Sequence, residues 1–211
     1  MKTHPHLLVR DAFADLFVEA STGEKEADRA LAELERFAQG AAPGPALRRL
    51  RSEDGASLFG PDGLEARFAP LRAYIEDRAP RFAAARNWIR EYGAEQEPLE
   101  RARAAWDAGL FFEVHEILEP VWLAATGIER QKLQGMIMAG AALHHLANGN
   151  LAGARGLLRD AAAKLEGSRS GESYRFGSFG RELARLAERL EKGSNRSIEE
   201  LGELPALERR A

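Results

Sequence analysis

The spacing of apolar residues constrains this chain most, because it follows the α-helical period almost throughout. Apolar positions recur every three or four residues, and no stretch shows the apolar–polar alternation of a β-strand with one buried face. Ala, Leu, Arg and Glu dominate these stretches, whereas β-branched residues are scarce. The sequence therefore predicts an all-α fold, a compact bundle of about eight to nine helices.

Pro, Gly and polar turns separate the predicted helices. They cover residues 8–20, 24–39, 62–74, 80–92, 98–108, 111–125, 128–146, 150–165 and 179–192. Gly109 is a candidate C-cap and Asn150 a candidate N-cap. Short connections predict antiparallel helix hairpins in the second half, and the Gly- and Ser-rich stretch 167–178 predicts a loop.

The stretch 93–98 has the composition of a boundary between two halves. We therefore expect an N-terminal helical region at residues 1–95, a helical bundle at 96–192 and a polar, peripheral C-terminal tail at 193–211.

One segment, residues 133–154, contains no Asp, Glu, Lys or Arg. It is not expected to span a membrane, because it includes His144 and His145 and is interrupted by Gly149. A buried central helix followed by a turn explains it better. The start of the chain also lacks the long apolar run of a signal peptide, so the sequence predicts a soluble, cytoplasmic protein with no membrane partner.

Composition excludes several classes of function. The formal net charge is −3 and neither half is basic, so a duplex nucleic-acid partner is not expected. The chain has no cysteine, which excludes disulfides, zinc–thiolate sites, iron–sulfur clusters and a cysteine nucleophile. A P-loop and the strained serine turn of α/β-hydrolases are also absent.

The polar side chains concentrate in the predicted helix 111–125. His115, Glu119 and Trp122 are spaced to share one face, which is otherwise apolar and is expected to point inward. A histidine and a carboxylate facing a core need partners. Gln134 and His145 of the next predicted helix are placed to join them, so the sequence predicts a polar binding site between helices 111–125 and 128–146.

The same stretch resembles the domain of unknown function 309 family (DUF309) over about residues 98–165. The resemblance lies in a Phe-Phe-Glu-x-His-Glu run followed by Glu, Trp, Gln-Gly, His and Gly-Asn, here Phe111, Phe112, Glu113, His115, Glu116, Glu119, Trp122, Gln134, Gly135, His145, Gly149 and Asn150. Met138 departs from the pattern, where the resemblance implies a second Gln. The resemblance implies a small helical bundle and no particular activity.

Three interpretations of the His115 region remain open. It is a hydrogen-bonded network or pocket in which Glu119 orients His115 and the Trp122 indole donates nearby, a metal site, or a metal-free acid–base site. The metal ligands would be His115, Glu119 and His145, with Glu116 as catalytic general base. Glu113 and Glu116 are otherwise expected to be solvated charges flanking this face.

These interpretations correspond to three classes of function. The favoured one is a binding or scaffold module for a small molecule or a protein partner. The first alternative is a metal-dependent hydrolase whose cofactor is a divalent metal ion. The second is a structural protein that forms homo-oligomers through the helix 133–146, where small residues from Gly135 to Gly140 would allow a second copy to approach closely.

Overall fold

The computed structural model describes residues 4–166, 174–193 and 197–209 of the chain. Within these residues there are eight α-helices and no β-strand, which confirms the all-α prediction. The helices are α1 (Pro5–Ser21), α2 (Lys25–Ala38), α3 (Arg72–Glu91), α4 (Pro98–Asp107), α5 (Phe111–Ala124), α6 (Gly127–Ala147), α7 (Leu151–Glu166) and α8 (Phe176–Glu191).

The helices form two compact units, Met1–Glu113 and Val114–Ala211. The first unit contains α1 to α4 and the second contains α6 to α8, while α5 begins in the first and ends in the second. The domain limits expected at residues 95 and 192 stay a prediction.

Aromatic side chains build the core of the first unit. Phe82 contacts Phe13 and Phe17 with ring centroids 6.1 and 5.4 Å apart. Phe59 contacts Phe13 and Phe37 at 6.5 and 5.2 Å, and all five rings are buried. Such rings remove large apolar areas from water, so this cluster holds α1, α2 and α3 to the segment that carries Phe59.

The prediction of a helix at residues 62–74 is wrong, and so is the prediction that the next helix starts at Pro80. Instead α3 runs from Arg72 to Glu91 with Pro80 inside it. The buried face of α3 continues across the proline through Ile75, Ala79 and Phe82. Burial of this face therefore outweighs the backbone hydrogen bond that Pro80 cannot donate.

In the second unit, α6, α7 and α8 pack as successive antiparallel hairpins. Gly149, with a φ of 74°, makes the turn between α6 and α7, as the sequence predicted. The next pair is also antiparallel: Gly180 near the start of α8 lies against Leu165 near the end of α7, whereas Glu191 at the end of α8 reaches back to Arg159, with an ion pair of 2.8 Å.

Gly135 allows α6 and α7 to approach closely. A Cβ atom at this position would lie 2.7 Å from Leu165 Cγ and 3.3 Å from the carbonyl oxygen of Ala161. Gly135 and Gly140 are buried. The close packing expected at Gly135 is thus made by α7 of the same chain, and this glycine is not available to a second copy.

The C-terminal segment packs on α8. The Arg175 amide donates to the carbonyl oxygen of Glu208 at 2.9 Å, and Arg189 Nη2 donates to that of Leu201 at 2.7 Å. Leu201 and Leu207 are buried. The expectation of a peripheral tail is wrong for these two residues, because their side chains are buried.

Part of the loop expected at residues 167–178 lies outside the described residues, which resume at Tyr174. There α8 already begins at Phe176, earlier than the sequence predicted. No helix in the described part of the chain combines the length and apolar character needed to cross a membrane.

Candidate metal centre on helix α5

A defined turn sets the start of α5. Gly109 adopts a φ of 72°, and the Leu110 amide donates to the carbonyl oxygen of Ala105 at 2.8 Å, which closes α4 with a Schellman motif. This confirms Gly109 as the C-cap glycine. The buried side of α5 then consists of Phe111, Val114, Ile117 and Leu118.

Glu113 is fully buried, so the expectation that it is a solvated charge is wrong. Arg78 Nη2 of α3 donates to both carboxylate oxygens of Glu113, each at 3.0 Å. The Arg78 side chain is only 11% exposed. A buried carboxylate persists only when it is paired, and Arg78 meets that need.

His115, Glu116 and Glu119 form a cluster that faces partly to solvent. Each of the three residues offers one ligand atom, and these atoms all lie within 4.8 Å of one another. His115 Nδ1 is 2.9 Å from Glu116 Oε1, and the two side chains are 33% and 28% exposed. His115 and Glu119 were expected to point inward, but they are only half-buried, beside the buried side chains of α5.

His145 is not a member of this cluster. Its Nδ1 accepts a hydrogen bond from Asn150 Nδ2 at 3.1 Å, while Asn150 Oδ1 accepts from the Gly153 amide at 3.0 Å. Asn150 therefore caps α7, as predicted, and holds the His145 ring at the same time. Gln134 and His145 lie on a half-buried side of α6, away from the side that carries Gly135.

Trp122 marks the C-terminal end of the α5 site. Its Nε1 atom is buried without a hydrogen-bond partner, so the predicted donation from the indole into a local network is wrong. Arg130 of α6 lies over the ring, with Cζ 4.1 Å from the centroid. The same guanidinium donates to the carbonyl oxygens of Trp122 and Ala125 at 2.8 and 3.3 Å. Arg130 thus supplies hydrogen bonds to carbonyl oxygens at the end of α5, and it stacks on the Trp122 ring.

Pro120 lies within α5 and adds backbone polarity beside the cluster. It has no amide hydrogen to donate to the carbonyl oxygen of Glu116, one turn earlier. A carbonyl oxygen without its helical donor remains able to accept from water or to face a cation. This carbonyl oxygen belongs to Glu116, whose side chain is already part of the cluster.

Two partners of this helix, Arg78 and Arg130, were not predicted from the sequence. Arg130 leaves a local signal, since it follows closely on the Thr126-Gly127 break, where a cation favours the preceding helix C-terminus. Arg78 leaves no local signal, because it is 35 residues from Glu113 and only the packing of α3 brings it close.

A third feature that was not predicted is a cavity of about 400 Å³ between α8 and the C-terminal segment, lined by Arg185, Arg189 and Pro205 among others.

Comparison with known proteins places the cluster in a matched region. Residues 99–157 match the family described as domain of unknown function (DUF309), which confirms the resemblance found in the sequence. An uncharacterized protein of Aquifex aeolicus (strain VF5) is 44% identical over 57 residues, which are 26% of this chain and 17% of that protein. The chain thus matches only about a sixth of that relative's length. No solved structure matches this chain.

Proposed function

We propose that this chain is a binding module whose α5 helix holds a divalent metal ion through His115, Glu116 and Glu119. The observation that supports this most directly is the convergence of one imidazole nitrogen and two carboxylate oxygens within 4.8 Å. Ligands around a single small ion lie roughly 3–3.5 Å apart, given metal–ligand bonds of about 2.0–2.2 Å. Rotation of the two glutamate side chains can shorten the distances between the ligand atoms to this range.

Stability alone does not account for the cluster. The contact of His115 with Glu116 is an ion pair only when the imidazole is protonated, and it joins adjacent residues of the same helix. Two carboxylates placed this close together also repel each other, and a bound cation relieves that repulsion. Ligand binding therefore explains the arrangement better than the hydrogen-bonded network does.

The donor set indicates the class of ion. One imidazole with two carboxylates suits Zn²⁺, Mn²⁺ or Fe²⁺ better than the soft Cu⁺, which prefers thiolates and thioethers. Since the ligands must be deprotonated, binding is expected to weaken as the pH falls.

The experiment is calorimetric titration of tag-free protein with Zn²⁺ and Mn²⁺, with elemental analysis of the purified protein. We expect saturable binding at no more than one ion per chain, weakened about tenfold or more by His115→Ala and by Glu119→Gln. Glu188→Gln is the matched control, because it removes an exposed carboxylate of α8 in the same unit. Absence of binding, or equal binding by His115→Ala, would refute the proposal.

Metal-dependent hydrolysis is a second candidate, supported by the partial exposure of the cluster. Three protein ligands on one helix leave coordination positions open to water, as in catalytic metal sites. Glu116 then serves either as a ligand or as the general base. Assays of the metal-loaded protein on chromogenic phosphate and carboxylate esters test this, and turnover lost in Glu116→Gln with metal retained would assign the base role.

A further inference from the structure

The cavity between α8 and the C-terminal segment has the size of a small-molecule site. Its volume is about 400 Å³, and sites for small molecules typically measure about 300–1,000 Å³. Arg185, Leu186 and Arg189 line it from α8, while Glu203 and Pro205 line it from the C-terminal segment. All five lie in the second unit and beyond the part of the chain that matches DUF309. The cavity is therefore separate from the cluster on α5.

The lining of this cavity combines apolar and charged groups. Leu186 is 2% exposed and Pro205 is buried, so these two side chains supply apolar surface at its base. Arg185, Arg189 and Glu203 are exposed and supply charge at its rim. Binding sites for small molecules commonly have this composition, because apolar contacts contribute affinity and a few polar groups fix the orientation of the ligand.

The charged groups at the rim do not neutralise one another. Among the described residues, neither Arg185 nor Arg189 forms an ion pair with a carboxylate, and Glu203 has no cationic partner. Glu182 also lines the cavity and precedes Arg185 by three residues on α8, a spacing that allows pairing, yet these two side chains do not pair. Charges of both signs therefore remain available to a ligand.

Hydrogen bonds hold the two walls of the cavity in place. Arg189 Nη2 donates to the carbonyl oxygen of Leu201 at 2.7 Å, and the Arg175 amide donates to that of Glu208 at 2.9 Å. Leu207, in the same segment, is 3% exposed. A cavity that is already formed loses less conformational freedom when a ligand binds. The Arg189 guanidinium is thus oriented before a ligand arrives.

We infer that this cavity binds an α-amino acid with an apolar side chain, either free or as a dipeptide. Arg185 and Arg189 bind its carboxylate, since guanidinium groups donate paired hydrogen bonds to carboxylates. Glu203 binds the ammonium group, and the apolar side chain lies on Leu186 and Pro205. An anion alone would be opposed by the carboxylate of the rim and a cation alone by the guanidinium groups, whereas a zwitterion is attracted by both.

Calorimetric titration of the full, tag-free chain with leucine and with leucyl-leucine tests the inference. We expect saturable binding of one molecule per chain. N-acetyl-leucine lacks the ammonium group and leucinamide lacks the carboxylate, so each should bind at least about tenfold more weakly than leucine. Binding of leucine identifies the free amino acid as a ligand, and binding of leucyl-leucine alone identifies the dipeptide. Binding of neither overturns the inference, and so does N-acetyl-leucine that binds as tightly as leucine.

Variants of the chain test which residues bind the two charges. Arg185→Gln and Glu203→Gln should each weaken binding about tenfold, because each removes one charged contact. Arg181→Gln and Glu188→Gln are the matched controls, since they remove exposed charges of α8 that do not line this cavity. Circular dichroism checks that all four variants keep their helices. If each variant loses no more affinity than its control, the assignment of the cavity is overturned.

Discussion

Arg78 and Glu113 form an ion pair in which one arginine nitrogen, Nη2, lies 3.0 Å from each of the two carboxylate oxygens. The Glu113 side chain is 1% exposed, and α3 supplies its partner from 35 residues away. His115, two residues further along α5, belongs to the cluster of candidate ligands. The ion pair therefore fixes the start of α5, from which the candidate ligands extend.

Glu113→Ala should destabilise the protein by about 3–5 kcal/mol, because it leaves the Arg78 guanidinium buried without its anion. Urea unfolding followed by circular dichroism measures this. The control is Asp77→Ala on α3, whose pair with Arg81 has side chains 56% and 41% exposed, and it should cost less than about 1 kcal/mol. Equal losses in the two variants would show that burial of the Arg78–Glu113 pair has no special weight.

Gly135→Ala should destabilise the second unit by about 1–3 kcal/mol, since the added Cβ meets Leu165 Cγ at 2.7 Å. Gly156→Ala on α7 is the matched control, because nothing lies within 4 Å of a Cβ there. That substitution should stabilise the helix by roughly 0.5–1 kcal/mol. Thermal melts compare the two, and a shift of the same sign in both would contradict the close packing of α6 on α7.

Periodicity was enough to predict most of the helices, because each buries one apolar side and ends at Gly or Pro. α1, α2 and α4 to α8 lie within a few residues of their predicted positions. The failure at residues 62–74 has a tertiary cause. Phe68 is buried from an irregular segment, so its apolar character reflects the core of the unit and not a local helix.

The candidate site could be predicted in part. Spacing correctly placed His115 and Glu119 on one face of α5, but it could not decide which face meets the core. In the structure Glu113 is buried against Arg78, whereas the His115 side chain is 33% exposed. A partner so distant in sequence leaves no periodic signal, and the exposure of the cluster was therefore not predictable.

Arg130→Gln should destabilise the end of α5 by about 1–2 kcal/mol, because the carbonyl oxygens of Trp122 and Ala125 lose a charged donor and the indole loses its cation. Arg130→Lys should restore only part of this, since an ammonium group cannot stack and bridge several carbonyls at once. Thermal melts measure both variants. Full rescue by lysine would indicate that charge alone matters at this position.

His6 lies in a crowded cationic region of the first unit. Its ring meets the Tyr74 ring edge-on, with centroids 4.6 Å apart and planes at 61°. Burial lowers the pKa of His6 below 6.5, and the charges of Arg10, His4 and Arg78 lower it further, while Asp11 acts in the opposite direction. The folded protein therefore favours the neutral imidazole.

His6→Phe should reduce the dependence of stability on pH below about 6.5. In the wild type, the unfolded chain binds a proton at His6 near pH 6.5, before the folded chain does. Stability conferred by the neutral ring is thus present above pH 6.5 and declines as the pH falls toward the lower folded-state pKa. Phenylalanine keeps the ring contact with Tyr74 and cannot titrate. Urea midpoints at a series of pH values measure the slope, and an unchanged slope in His6→Phe would assign the acid sensitivity to other groups.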